Sequence, residues 1–318
     1  MAFVGIEIGG TKLQSAIIGH DGCILLRTSD LVDASAGADT MRETLAAQLA
    51  WLVAAWRNRD GQNIEAVGIG FGGPVDRVRG VIATSFHVAG WNGFPLMDWV
   101  AGQLGGLPTV LENDANAAAL AEATVGAGRD ARLVFYSNSG SGIGAGFVID
   151  GVLYRGRGSG EMELGHLRLG TDGGILEDAA SGWSIDRRVR DDVASHPNGV
   201  MATLAAGQLA DARILPASLA AHDAAAATIL NDAARQYALA LSHVVHLLNP
   251  EVIVLGGGVA EIGTAWRDLV SGHLETFLMA PFTPGPSVRL AALGQNVVLV
   301  GAALAAAGIA RSRRPAIG

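Results

Sequence analysis

Asp114 is the side chain best placed to do chemistry. It falls in Glu112-Asn113-Asp114-Ala115-Asn116, where an apolar strand, 109–112, gives way to an alanine-rich helix from about 115. A carboxylate there can cap the helix by accepting from the free N–H groups of its first turn. It can also act as a general base, with Asn113 holding a substrate hydroxyl while Asp114 accepts its proton across about 2.6–3.2 Å. Phosphoryl transfer to an alcohol asks little more of a protein: a positioned hydroxyl, a base, donors around the γ-phosphate and a metal ion.

Two glycine turns offer such donors, Ile8-Gly9-Gly10-Thr11-Lys12 and Ser139-Gly140-Ser141-Gly142. Glycine lets backbone N–H groups approach an anion, and Thr or Ser adds a hydroxyl. Two ordinary hairpin turns would look the same, but a pair could cradle a polyphosphate from both sides. No G-x-x-x-x-G-K-[ST] loop and no G-x-S-x-G elbow is present. The run Gly140 to Ala145 formally fits a dinucleotide fingerprint, yet that fingerprint must open a helix, and here the chain continues as a hairpin through Asp150-Gly151.

A third stretch, Gly165 to Gly182, holds His166, Asp172, Glu177 and Asp178, with Glu163 just ahead. Buried acceptors of this kind suit sugar hydroxyls, and a site built for hydroxyls rejects analogues that lack them. A capped surface turn is the plain alternative for Glu163 and His166. Tetrahedral zinc needs more thiolate or imidazole than one histidine supplies, and Asp172-Gly173-Gly174 reads as a solvated turn. His243 and His246 stand one helical turn apart, which suits packing better than a metal pair. Trp91 and Phe94 read as core, or as a wall beside a sugar.

The elements that must position these groups follow from periodicity. Phe3–Ile8, Leu13–Ile18 and Cys23–Thr28 form a meander joined by glycine turns. Met41, Leu45, Leu49, Leu52 and Val53 recur at helical spacing between Thr40 and Trp56. An apolar strand at 66–75 ends in Gly72-Gly73-Pro74. The second half restarts in the same style, with strands near 132–137 and 143–149, helices over roughly 180–195, 200–210 and 219–248, a strand ending in Gly256-Gly257-Gly258, and a last helix over 297–310. The echo predicts a duplicated α/β architecture of mixed sheets flanked by helices.

Composition narrows the partners. The 318 residues suggest two domains. A net charge of −8 gives no affinity for phosphate backbones, so nucleic acid is not expected as a partner. The single cysteine, Cys23, leaves no internal disulfide and no cysteine cage for zinc, and points to a reducing cytoplasm. No basic region precedes the first strand, and the apolar run 297–310 is shorter than the roughly 20 residues a bilayer needs. No membrane is expected.

Taken in order, Ile6-Glu7-Ile8-Gly9-Gly10-Thr11-Lys12, Gly70-Phe71-Gly72-Gly73-Pro74, Gly90-Trp91, Glu112 to Asn116, Gly140 to Gly144, Glu163-Leu164-Gly165-His166 and Leu255 to Gly258 resemble the ROK family of sugar kinases and sugar-responsive repressors, over about residues 3 to 308. The resemblance implies an α/β protein of the actin-like ATPase (ribonuclease H-like) fold, two similar domains with a cleft that closes over the sugar, divided as 1–115 plus 297–318 and 116–296. It implies ATP-dependent phosphorylation of a hexose, glucose or a close relative, with Asp114 as base. Gly9, Gly10, Thr11 and Lys12 with Gly140, Ser141 and Gly142 would hold ATP phosphates, and Gly256, Gly257 and Gly258 would lie near adenosine. Gly73, Asn113, Glu163, His166 and Glu177 would bind the sugar. Glu7 stands where the family more often has Asp, thought to place Mg²⁺ through water, and reaches one methylene further. A homodimer is implied as well.

Two departures from the family matter. DNA-binding members carry a helix-turn-helix ahead of the first glycine turn, which here begins at Gly9. Kinases of the family usually bind zinc with the E-x-G-H histidine and three cysteines in a loop that leads to a glutamate. Here that loop has no cysteine and only eleven positions separate His166 from Glu177, so no zinc site is expected. A non-catalytic sugar or nucleotide sensor, and a hexokinase drawing on polyphosphate, are the rival readings.

Overall fold

The computed structural model describes residues 1–10, 12–59, 63–85, 88–157, 162–171 and 173–312. In chain order its elements are β1 (Ala2–Ile8), β2 (Lys12–Gly19), β3 (Ile24–Leu31), α1 (Gly37–Arg57), β4 (Ile64–Phe71), β5 (Val75–Asp76), β6 (Val81–Ile82), α2 (Leu96–Gln103), β7 (Thr109–Asn113) and α3 (Asp114–Thr124). The second half adds β8 (Leu133–Ser139), β9 (Ile143–Ile149), β10 (Val152–Leu153), α4 (Leu176–Ala180), α5 (Gly182–Ser195), α6 (Val200–Leu204), α7 (Leu215–Ala220), α8 (Ala224–Leu248), β11 (Val252–Gly256), α9 (Thr264–Phe277), β12 (Ser287–Leu290) and α10 (Val297–Ser312).

Two five-stranded sheets share one plan. The first has the order β3-β2-β1-β4-β7 and the second β10-β9-β8-β11-β12. In the first, β1–β2 and β2–β3 run antiparallel, while β1–β4 and β4–β7 run parallel. In the second, β8–β11 and β11–β12 are parallel. Each parallel strand is reached through a helical crossover, as such pairing requires. This repeated plan is the duplicated mixed-sheet architecture, and it is the actin-like ATPase fold.

The chain divides into two compact units. Unit one comprises residues 1–129, 146–161 and 293–318, and unit two comprises 130–145 and 162–292. The expected boundary at 115 falls inside α3. That helix packs on α10 and belongs with the first sheet. Strand β9 changes unit at Gly146.

Unit one buries both faces of its sheet. Ile6, Ile8, Leu13 and Ile69 pack with Met41, Leu45, Leu49 and Leu52 of α1, while Phe3, Ala16, Ile18 and Ala66 pack with Leu299, Val300 and Ala303 of α10. The second contact needs small residues, because a Cβ on Gly68 would stand 1.7 Å from the Ala302 carbonyl oxygen. The stretch Gly294–Arg311 is long and apolar enough to cross a membrane by length and composition, so length alone does not exclude a span. In this fold α10 lies against β1, β4 and α3.

Several boundaries differ from the sequence expectation. The helix expected over 200–210 stops at Leu204, and the one expected over 219–248 is two helices. The break comes at His222, which is left-handed at φ 57, and at Asp223, whose carboxylate accepts from Ala226 N at 2.8 Å and starts α8. Helices α2 and α9 and strand β12 carry no motif in the sequence reading and are additional.

Candidate active site

In unit one, parallel pairing sets the end of β7 beside the end of β4, with Phe71 opposite Asn113. Asn113 is the N-cap of α3: its Oδ1 accepts from Ala115 N at 2.9 Å and Asn116 N at 3.2 Å. Its Nδ2 donates to the Gly73 carbonyl at 3.2 Å. The capping role read as the bland possibility for Asp114 is therefore taken by Asn113. Asp114 is the first helical residue, half-buried, with Oδ1 accepting from Ala115 N at 2.8 Å. Its Oδ2 lies 3.5 Å from where a Cβ on Gly72 would stand, and Gly9 Cα lies 3.7 Å from the same point. Base candidate and first glycine turn thus meet at Gly72, whose N–H donates to the Ile8 carbonyl at 2.9 Å.

The first glycine turn is closed by Gly9 N donating to the Lys12 carbonyl at 2.9 Å. Thr11 lies outside the described residues. Glu7 stands opposite Gln14 in the β1–β2 register. Gln14 Nε2 donates to Glu7 Oε2, and Lys12 Nζ lies 3.6 Å from Oε1. Lys12 and Gln14 also donate to the Gln295 carbonyl, at 3.1 and 3.0 Å. Burial pushes the Glu7 carboxyl above its ordinary 4.5, against the lowering pull of the Lys12 ammonium and the Gln14 amide. Trp91 is core: it is 1% exposed and packs edge-to-face on Phe71 and Phe94.

In unit two, β8 runs into the turn Gly140-Ser141-Gly142, closed by Gly140 N donating to the Gly142 carbonyl at 2.8 Å. Space around Gly140 is open, and Ser141 is exposed. Glu177 reaches this turn directly, its Oε2 accepting from Ile143 N at 2.8 Å. A Cβ on Gly142 would stand 2.5 Å from that oxygen, and one on Gly165 would stand 3.1 Å from it. The second glycine turn, the E-x-G-H segment and Glu177 are therefore one packed cluster. Glu163 precedes and His166 ends its short helical turn, Leu164–His166, and both are exposed where buried acceptors were expected.

The segment that would carry a zinc loop is closed by backbone instead. Arg168 and Ile175 form an antiparallel bridge, Leu176 N donates to the Leu167 carbonyl at 3.0 Å, and Gly173 takes the left-handed conformation at φ 92. Asp178 Oδ2 accepts from Ile175 N at 3.3 Å and fixes the start of α4, the helix that carries Glu177. Asp172 lies outside the described residues. Cys23 is exposed in unit one.

Strand β11 ends against β8, with Gly256 opposite Asn138. A Cβ on Gly257 would stand 2.4 Å from the Ser139 carbonyl oxygen, while Gly258 faces open space. The Gly256 to Gly258 turn thus abuts the residue that opens the Gly140 turn. His246 is a packing histidine: its ring meets Phe282 at 5.3 Å and its Nε2 accepts from Met279 N at 3.2 Å. His243 is exposed. Sequence reasoning missed Glu112, a buried carboxylate that meets Arg155 and Arg77. Its signal was a lone charge at the end of an apolar strand.

The comparisons with known proteins extend over the whole chain. A protein named glucokinase from Thermotoga maritima is 29% identical over 313 residues, covering 95% of this chain and 96% of the relative. A kanosamine kinase from Amycolatopsis mediterranei is 30% identical over 320 residues, covering 98% of each. The crystal structure of a ROK family glucokinase from Streptomyces griseus, in complex with glucose and AMPPNP, superposes with a TM-score of 0.84 at 29% identity, covering 97% of this chain and 100% of that one. The model of the ROK family matches residues 3–308, a span that takes in both glycine turns, the Asn113-Asp114 pair and the E-x-G-H segment: this chain belongs to the ROK family.

Proposed function

We propose that this protein is an ATP-dependent hexose kinase, acting on glucose or a close relative, with Asp114 as general base. The observation that carries it is the position of Asp114: a carboxylate at the start of α3, with its neighbour Asn113 as the cap and a glycine turn at Gly72 distance. Whole-length similarity to a glucokinase and a kanosamine kinase supports the reaction class.

In this reading Asp114 accepts the proton of the attacking hydroxyl as its oxygen bonds to the γ-phosphorus and the bond to the β-phosphate bridging oxygen breaks, leaving ADP and a hexose phosphate. The backbone N–H of Gly10, with Thr11 and Lys12, and those of Ser141 and Gly142 receive phosphate oxygens, while Gly9 and Gly140 shape the two turns, their own N–H groups bonded to the Lys12 and Gly142 carbonyls. Gly256 to Gly258 serve the adenosine, with Gly258 the one whose α-carbon is open to a ligand. Glu163, His166 and Glu177 receive sugar hydroxyls, as does Gly73. Asn113 keeps one N–H for the sugar, since its Oδ1 caps α3 and the other N–H goes to Gly73.

Magnesium belongs to the reading as the charge that a transferred phosphoryl group requires. Mg²⁺ is commonly held by one or two carboxylates with substrate phosphates and several waters. Glu7 would supply the single carboxylate of that donor set, reaching the ion through water past Gln14 on Oε2 and Lys12 at 3.6 Å from Oε1. The same reading takes the protein to be a cytoplasmic homodimer.

A coupled ADP-release assay over a panel of hexoses, with ATP and with polyphosphate as donors, tests the proposal. Turnover with ATP and at least one hexose is expected. Turnover with polyphosphate only would move the donor, and thermal stabilisation by a sugar without any turnover would make the protein a sensor.

A further inference from the structure

We propose that Glu112, acting through Arg77 and Arg155, is a positioning residue for the sugar-binding part of unit one; the inference rests on the hexose kinase reading. Glu112 is 1% exposed and sits on β7 immediately before Asn113. Arg155, just past β10, places Nη2 on its Oε1, and Arg77, just past β5, brings Nε to 3.9 Å of the same oxygen. All three residues belong to unit one.

A buried carboxylate is costly unless paired. This one is paired with a residue whose position matters. Gly73 and Arg77 mark the two ends of a five-residue segment. Asn113 Nδ2 holds the first end by the Gly73 carbonyl, at 3.2 Å. At the second end the Arg77 guanidinium faces Glu112, its Nε buried 3.9 Å from Oε1 and making no hydrogen bond among the described residues. Two consecutive residues of β7 thus reach both ends of the segment that carries Gly73, Asn113 by a hydrogen bond and Glu112 by charge attraction, and the strand runs directly into Asp114. Arg155 donates to the same Oε1, so the carboxylate is anchored by Arg155 and attracts Arg77 across the longer gap. The role is positional: Glu112 touches no reacting atom, and its carboxylate is already engaged.

The test compares Glu112→Gln, Arg77→Met and the double variant Glu112→Gln/Arg155→Met with the parent, reading hexose KM, ATP KM, kcat and Tm. The expected result is a rise of roughly tenfold or more in hexose KM for Glu112→Gln and Arg77→Met, with ATP KM within about twofold. The double variant, which removes the buried charge together with its partner, is expected to recover Tm without recovering hexose KM. Hexose and ATP KM rising together in step with lost Tm, or hexose KM unchanged, would overturn the proposal. Arg77 is about one-third exposed, so Arg77→Met tests the idea even where Glu112→Gln does not fold. If the parent itself phosphorylates no hexose, the kinase reading fails on its own. The clamp is then read by hydrogen exchange: faster exchange across 73–77 in Glu112→Gln upholds it, and unchanged exchange there contradicts it.

Discussion

At the scale of single residues, the chain places charges where an apolar fold would not. Glu7 is the plainest case. Its carboxyl is held above the ordinary 4.5 chiefly by burial. The folded protein therefore binds more protons than the unfolded chain between 4.5 and the raised value, and stability falls as pH rises through that window. Glu7→Gln should flatten the curve there. Denaturant midpoints of parent and variant from pH 4.5 to 7 check it: the difference should widen in the variant's favour as pH rises, and a pH-independent difference would contradict the cause assigned. Asp114 was legible as a chemical group from its place between strand and helix. Its division of labour with Asn113 was not, because a cap is decided by one backbone ψ angle that sequence leaves open.

At the scale of elements, the two glycine turns and the α3 N-terminus can be tested by their packing. Asn113→Ala removes the cap of α3 and the bond to Gly73. A loss of about 1 kcal/mol is expected, which lowers Tm by roughly 1–2 °C for a protein of this size, and hexose KM should rise with it. In the second turn, Gly142→Ala should lower Tm more than Gly140→Ala. The new methyl of the first meets Glu177 Oε2 at 2.5 Å, while that of the second enters open space. Equal Tm values would contradict the packed cluster of Gly142, Gly165 and Glu177. That cluster also answers how Glu177 is ordered in a loop without cysteines. An Arg168–Ile175 bridge, an Asp178 contact to Ile175 N and the Ile143 N–H do the ordering. The sequence showed the shortened loop and the glycines at 173 and 174, but a two-residue bridge has no periodicity to read.

At the scale of the whole molecule, the repeated strand order was foreshadowed by the two meanders, each a run of alternating residues broken by glycine turns. Helix boundaries were less legible. Alanine-rich segments such as 200–210 and 219–248 carry helical propensity through their ends, so the breaks at Leu204 and His222 come from local caps and turns rather than from composition. The last helix shows the same ambiguity, since its hydropathy suits a membrane and its glycine and alanine suit a sheet face; packing against β1 and β4 decides. Binding at this scale has a direct readout. A hexose at 100 times its Kd should stabilise the protein by about 2.7 kcal/mol, visible as a rise in Tm, whereas a sugar lacking the recognised hydroxyl should leave Tm unchanged.

The central claim, that Asp114 removes the proton of a hexose hydroxyl during transfer from ATP, is tested most directly by ADP release from the parent and the Asp114→Asn variant with saturating glucose and ATP. The account predicts glucose-dependent turnover in the parent and a kcat about 10²- to 10⁴-fold lower in the variant, with glucose-induced thermal stabilisation retained. A variant that turns over within a few-fold of the parent would contradict it.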